Sequence, residues 1–309
     1  MCCLFGLIDY GRMFSAKEKN RILKVLATEC EARGTDATGI AFNTQSGIHI
    51  YKRPVAAHKL WFRVPEETRI IMGHTRMTTQ GSEKLNYNNH PFPGRVDRMN
   101  FALAHNGVLH NDSLLQESEN LPKTYIHTDS YVAVQLIEKE NNISFESIRN
   151  MAEKTKGSFC YTILDDKDNL YFVKGDNPLV IFEFRGFYLY ASTETILTKA
   201  VKKLGLKSYN KVDIVSGDIM KIDSYGNIEV DQFRFPDLFD DYYSYFRYPM
   251  YDDSGTDLLI EYANYFGIDE EDIMMLLEYG YDELEIEEMI YDPVYFEKCM
   301  SEIRLLEMC

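Results

Sequence analysis

The chain opens Met1-Cys2-Cys3-Leu4-Phe5-Gly6-Leu7-Ile8-Asp9-Tyr10. Cys2 is small enough to permit removal of Met1, and the new first residue would then carry both a thiol and a free α-amine. An α-amine has a pKa of about 7.7–8.0, so part of it is neutral near pH 7. It can take the thiol proton directly or through one water, activating a nucleophile without a histidine. The run Leu4–Ile8 that follows is apolar and dense in strand-forming residues, which predicts a cysteine at the head of a β-strand. A cysteine at position 2 is by itself a weak signal, and the Cys2-Cys3 pair also fits a palmitoylation site. The stretch lacks a basic leader, is broken by Asp9 and has no small-residue cleavage site, so it does not read as a secretion signal.

Four further polar segments follow in order, most of them next to an apolar run or a predicted helix. They are Ala32-Arg33-Gly34-Thr35-Asp36-Ala37-Thr38-Gly39, Gly73-His74-Thr75-Arg76-Met77-Thr78-Thr79-Gln80-Gly81, Asn89-His90-Pro91 with Leu103-Ala104-His105-Asn106-Gly107-Val108-Leu109-His110-Asn111, and His127-Thr128-Asp129-Ser130. Polar residues at strand ends are where sites are usually assembled.

Strands are predicted at 4–8, 39–42, 48–52, 69–72, 101–104, 158–164, 170–173, 179–184, 187–191, 218–222 and 228–230. Helices are predicted at 16–32, 129–140, 145–156 and 193–204, with Thr193 as the N-cap of the last. Strands outnumber helices, which favours stacked sheets with helices outside, a layered α/β fold. Residues 256–308 read as helical. Asp269 with two following glutamates is one helix start, Gly280 a stop, and Asp292-Pro293 another start. Phe235–Asp253 reads as a connector rich in Tyr and Asp. The predicted division is a domain over 2–235 and a small acidic helical module over 236–309.

The net charge of −16 belongs to that module. Residues 236–309 hold 21 Asp and Glu against three Lys and Arg, and 11 of the 22 Tyr. Such a surface disfavours nucleic acid and anionic membranes and suits a basic protein partner. No apolar run approaches the roughly 20 residues needed to span a bilayer. The six cysteines show no CxxC spacing, which reads as reduced thiols in a cytoplasmic protein. Five of the seven histidines lie between 74 and 127, without metal-ligand spacing, so no metal or other cofactor is expected.

Taken in order, these segments resemble the glutaminase domain of class II (N-terminal nucleophile) glutamine amidotransferases, in particular the glucosamine-6-phosphate synthase branch. The family opens Met-Cys-Gly-Ile-x-Gly, and the likeness covers about residues 2–232. It implies the four-layer αββα N-terminal-nucleophile hydrolase sandwich. It also implies roles: Cys2 as nucleophile with its own amine as base, and Asn106 and the Gly107 N–H as the oxyanion hole. Arg33 would organise Cys2, and Arg76, Thr79 and Asp129 would bind glutamine, Arg76 at the α-carboxylate and Asp129 at the α-ammonium. Outside this context Asn-Gly is a hairpin turn, Asp129 a helix cap, Arg76 a structural ion-pair residue and Arg33-Gly34 a helix stop. Cys3 stands where the family usually has Gly, Met77 where the branch often has Trp, and Gln80 where it often has His.

About 75 residues follow the likeness, with no phosphate-binding glycine loop. The implied partner is therefore a separate acceptor-processing or regulatory protein docking residues 236–309. Two other readings stay open: a hydrolase of a different γ-glutamyl amide, and an inactive interaction module.

Overall fold

Residues 3–8 form a strand, β1 (Cys3–Ile8), in which every side chain is buried. An uninterrupted apolar run suits a strand covered on both faces. Cys3, Phe5 and Leu7 point into one core and Leu4 and Ile8 into another. That double burial dictates the layers around it.

The computed structural model describes residues 2–97, 99–234, 259–260, 263, 268–281, 285–286, 289–290 and 293–307. Two compact units divide the chain, Met1–Asp237 and Leu238–Cys309. In the first, the strands are β1, β2 (Ala37–Thr44), β3 (Gly47–Arg53), β4 (Ile70–Arg76), β5 (Phe92–Val96), β6 (Met99–Leu109), β7 (Gly157–Asp165), β8 (Asn169–Lys174), β9 (Val180–Phe184), β10 (Phe187–Ala191), β11 (Asn210–Val212), β12 (Asp218–Asp223) and β13 (Ile228–Gln232). The helices are α1 (Ala16–Glu29), α2 (Asp112–Ser118), α3 (Tyr131–Glu140), α4 (Phe145–Lys154) and α5 (Glu194–Leu204).

One sheet has seven strands in the order β11-β9-β10-β1-β4-β2-β3, and the other six in the order β13-β12-β8-β7-β6-β5. The sheets face each other through Leu4, Ile8, Ile70 and Met72 on one side and Ala102, Ala104, Cys160 and Phe172 on the other. Helices α1 and α5 cover the outer face of the first sheet, with Ile22, Leu26, Leu197 and Val201 in its core. Helices α3 and α4 cover the second, with Val132, Leu136, Ile148 and Met151. The result is the αββα sandwich, with β1 near the middle of one sheet and β6 and β7 inside the other.

Local chemistry explains the helix ends. Ser15 and Glu18 form a reciprocal capping box at the start of α1. Thr193 caps α5 by accepting from the Ile196 N–H, and Gly205 ends it in the left-handed conformation. The predicted helix over 16–32 is α1 plus a short 3-10 turn at Cys30–Ala32. Three elements escape the sequence pattern. Strand β5 contains Pro93 and Gly94 and is tolerated because it lies at a sheet edge. Strand β11 has three residues, also at an edge. Helix α2 buries only Leu115, so it has no apolar stripe to read.

A buried ion pair pins α1. Lys19 and Asp9, 1% and 0% exposed, are 3.1 Å apart. Lys19 also donates to the carbonyls of Glu66 and Thr68, each at 2.6 Å, and Asp9 accepts from the Met13 N–H at 2.7 Å. Removing one member leaves the other charge buried and uncompensated. Lys19→Met is therefore expected to cost about 3–5 kcal/mol in urea unfolding; a loss under about 1 kcal/mol would contradict this account.

In the second unit, α6 (Glu270–Glu278) starts after Asp269, and Gly280 beyond its end has φ +94°. Helix α7 spans Pro293–Glu307. Ile273, Leu276, Phe296, Met300 and Ile303 share its core, and Arg304 pairs with Asp272 at 2.7 Å. The predicted connector over 235–253 and Asp292 lie outside the described residues. No helix among the described residues is long and apolar enough to cross a membrane.

Candidate active site

Cys2 sits immediately before β1, 8% exposed, with its Sγ 3.5 Å from the Met77 carbonyl. Burial raises its thiol pKa. The Met77 contact and the positive charge of Arg76 act against that rise, and the negative charge of Asp129 adds to it. Cys2, Arg76 and Asp129 therefore share one electrostatic neighbourhood. Arg33, at the end of the turn after α1, donates from Nε to the Cys2 carbonyl at 2.8 Å. Its loop lies so close to β4 that a Cβ on Gly34 would sit 2.5 Å from the Arg76 carbonyl carbon. Asp36 continues the contact by accepting from the Thr78 N–H at 2.8 Å. The 33–36 and 76–78 segments thus brace each other around Cys2.

Arg76 ends β4 and is 3% exposed. It donates to Asn89 Oδ1 at 2.7 Å and to the carbonyls of Gln80 and Gly81 at 2.5 and 3.1 Å. Three of its five N–H groups thus organise the loop after β4. Asn89 in turn donates to the Glu83 carbonyl at 2.8 Å, fixing the far side of that loop. Asn89 has no task that its motif Asn89-His90-Pro91 reveals; its complete burial and its bond to Arg76 supply one. Thr79 is exposed on the same loop and, unlike Cys2, Arg76 and Asp129, is not buried in the site.

Asp129 precedes α3, whose N-cap is Ser130. Its carboxylate does not close the helix end but accepts the Leu109 N–H, the last residue of β6, at 2.7 Å. That bond ties the 127–130 loop to the strand carrying Asn106 and Gly107. Neither Asn106 nor Gly107 lies in a hairpin turn. Both run inside β6, opposite Cys160 and Phe159 of β7. Gly107 has φ +148°, and a Cβ there would lie 1.9 Å from the Ser158 carbonyl oxygen, so only glycine fits. Asn106 is fully buried, and among the described residues neither its Oδ1 nor its Nδ2 has a hydrogen-bond partner. An unpaired buried amide is costly, so such groups call for an explanation.

Three buried histidines lie beneath. His74 Nε2 is 2.9 Å from the His105 carbonyl, linking β4 to β6 across the sheets, and so carries the proton there. His74 packs on His90 with ring centroids 4.2 Å apart, and His105 Nδ1 is 2.8 Å from Ser130 Oγ. Burial pushes His74 down to about 3 and lowers His90 and His105 as well. All three are neutral at pH 7. Unfolded, each takes a proton near pH 6.5. Between that pH and about 3 the unfolded chain holds more protons, so stability is full above 6.5 and falls as pH drops. His74 alone is expected to lower unfolding free energy by about 2 kcal/mol between pH 7 and 5. Denaturant midpoints at the two pH values check this; equal midpoints would refute it. Among the described residues no group of His, Cys, Asp and Glu is arranged to hold a metal ion.

Comparison with known proteins bears on the family of the chain. Residues of this chain are 30% identical to the glutamine–fructose-6-phosphate aminotransferase (isomerizing) of Staphylococcus epidermidis over 239 residues, covering 74% of this chain and 38% of that protein. The Geobacillus kaustophilus protein of the same name is 27% identical over 239 residues, covering 72% and 36%. The chain thus spans less than two fifths of these relatives' length. In fold it matches glutamine phosphoribosylpyrophosphate amidotransferase from B. subtilis at TM-score 0.60 and 20% identity, over 76% of this chain and 50% of that one. No protein-family model matches the chain. The first unit is a class II, N-terminal-nucleophile glutamine amidotransferase domain. Within that class its sequence relatives include the glutamine–fructose-6-phosphate aminotransferases, the branch the sequence motifs resemble.

Proposed function

We propose that residues 2–235 split the side-chain amide of glutamine into glutamate and ammonia through a thioester on Cys2. The observation that carries the reading is the orphaned Asn106 amide beside a Gly107 held at positive φ. A donor left unpaired in the resting protein is ready for a charge that exists only in the tetrahedral state. Removal of Met1 exposes the amine of Cys2, which takes the thiol proton. Burial keeps that thiol protonated on its own, so the base is needed. The thiolate attacks the amide carbon, and the oxyanion is held by Asn106 Nδ2 and the Gly107 N–H. The oxyanion collapses, the amine gives its proton to the leaving nitrogen, and ammonia departs. Water then hydrolyses the thioester.

Arg76, with two N–H groups beyond those used for its loop, receives the α-carboxylate. Asp129 receives the α-ammonium, with Thr79 at the rim. Arg33 holds the Cys2 carbonyl and so the direction of the nucleophile. The ammonia passes to a separate protein that docks residues 236–309, whose 21 acidic residues against three basic ones suit a basic surface.

Glutamate release from glutamine, compared with release from larger γ-glutamyl amides, tests the substrate. Glutamine is expected to have the higher kcat/KM; a preference for a larger amide would transfer the reading to a different γ-glutamyl hydrolase. Partner capture that survives deletion of 236–309 would remove the docking role.

A further inference from the structure

Cys3 and Cys30 face each other inside the core between the first sheet and its helices. Both are fully buried, and their sulfurs are 2.8 Å apart. Cys3 is the first residue of β1, and Cys30 begins the 3-10 turn after α1. Strand alternation turns Cys3 away from the site that Cys2 faces, into the core lined by Leu23, Leu26 and Ala27. Sulfurs at this separation are closer than unbonded sulfurs ordinarily approach. They are within about 0.8 Å of the S–S bond length of about 2.05 Å. The backbones carrying them are both held through Thr75. Cys3 pairs with Thr75 across β1 and β4, and Thr75 Oγ1 donates to the Cys30 carbonyl at 3.1 Å. Closing the pair needs the two sulfurs to approach by about 0.8 Å.

We propose that Cys3 and Cys30 are a modification site, a dithiol that a peroxide oxidant closes to a reversible disulfide. The two sulfurs differ in character. Burial would raise the Cys3 thiol, but the contact with Cys30, Ser192 and the charge of Arg33 together bring it below its ordinary value. Burial and the same contact raise Cys30. Cys3 is thus the attacking sulfur. Its thiolate attacks one peroxide oxygen, the O–O bond breaks, and with one proton a water leaves, giving a sulfenic acid. The Cys30 sulfur then attacks the Cys3 sulfur, the S–O bond breaks, and the hydroxyl takes the Cys30 proton as a second water. Two thiols lose two electrons and the peroxide gains them. A peroxide is small enough to reach a buried pair, whereas bulkier disulfide oxidants are not. The bond would join the residue next to Cys2 to the turn that leads into Arg33.

The test is hydrogen peroxide treatment of the full chain, alkylation after unfolding, and non-reducing peptide mapping. The expected result is a Cys3–Cys30 linked peptide pair, two hydrogens lighter than the separate peptides, that disappears with dithiothreitol. The oxidised chain should also melt several degrees above the reduced one, since a cross-link restricts the unfolded state. Cys30→Ser and, independently, Cys3→Gly should abolish both the link and the shift. The link should form equally in Cys2→Ala, so the outcome does not depend on any chemistry at Cys2. Recovery of Cys3 and Cys30 both alkylated after peroxide, or either joined to a different cysteine, would overturn the proposal.

Discussion

Cys2→Ala is expected to take glutamate release down to background, a loss on the order of 10⁶-fold in kcat. Among the described residues the neighbouring thiol is not placed to replace it. Cys3, the neighbouring thiol, points to the opposite face of β1 and into the helix-side core. The fold should be unaffected, since among the described residues the Cys2 thiol makes one long hydrogen bond, to the Met77 carbonyl at 3.5 Å, and Ala fills most of the same space. The intact mass of the wild type should be lighter by one methionine. If Met1 is retained and activity is unchanged, the amine cannot be the base and the mechanism fails. The pH profile adds a second check. The amine works only when neutral, so kcat/KM should rise with pH up to about 8.

Asn106→Leu should separate activity from stability. Loss of one oxyanion donor is expected to reduce kcat by about 10²–10³-fold, with KM little changed, because the donor acts on charge absent from the ground state. Stability should hold or rise. The amide is buried without partners, and a buried unpaired polar group costs about 1–3 kcal/mol that an apolar group of similar size avoids. A residue kept for folding would behave in the opposite way. Lost stability with normal turnover would make Asn106 structural and remove the main support for the oxyanion hole.

Much of this site is legible along the chain because its parts lie in short segments of unusual composition. Cys2 precedes an apolar run, Arg76 ends one, and Asp129 stands before a helix. The sites of β1, β7 and the four long helices of the first unit follow from apolar periodicity, since each buries a face large enough to leave a pattern. Strands β5 and β11 and helix α2 leave none, because edge position and slight burial relax the choice of residue. The Asn106-Gly107 pair shows the limit of local reading. Its composition favours a turn, yet it continues β6, because nine consecutive pairings with β7 outweigh local preference.

What the sequence determined by itself is the set of reactive groups and their order: a thiol that can acquire its own amine, an arginine, an Asn-Gly pair and an aspartate. It also determined the layered class, through strands that outnumber the helices. Tertiary structure alone decided how those groups are used. It turned Asp129 from its own helix towards Leu109, spent three N–H groups of Arg76 on the loop around Asn89, and left the Asn106 amide without a partner. It also brought Cys3 and Cys30, 27 positions apart, to 2.8 Å. The physical reason is common to all four. Hydrogen bonds and sulfur contacts act over a few ångströms, and which residues come that close depends on how two sheets and their helices stack, which spacing along the chain does not encode.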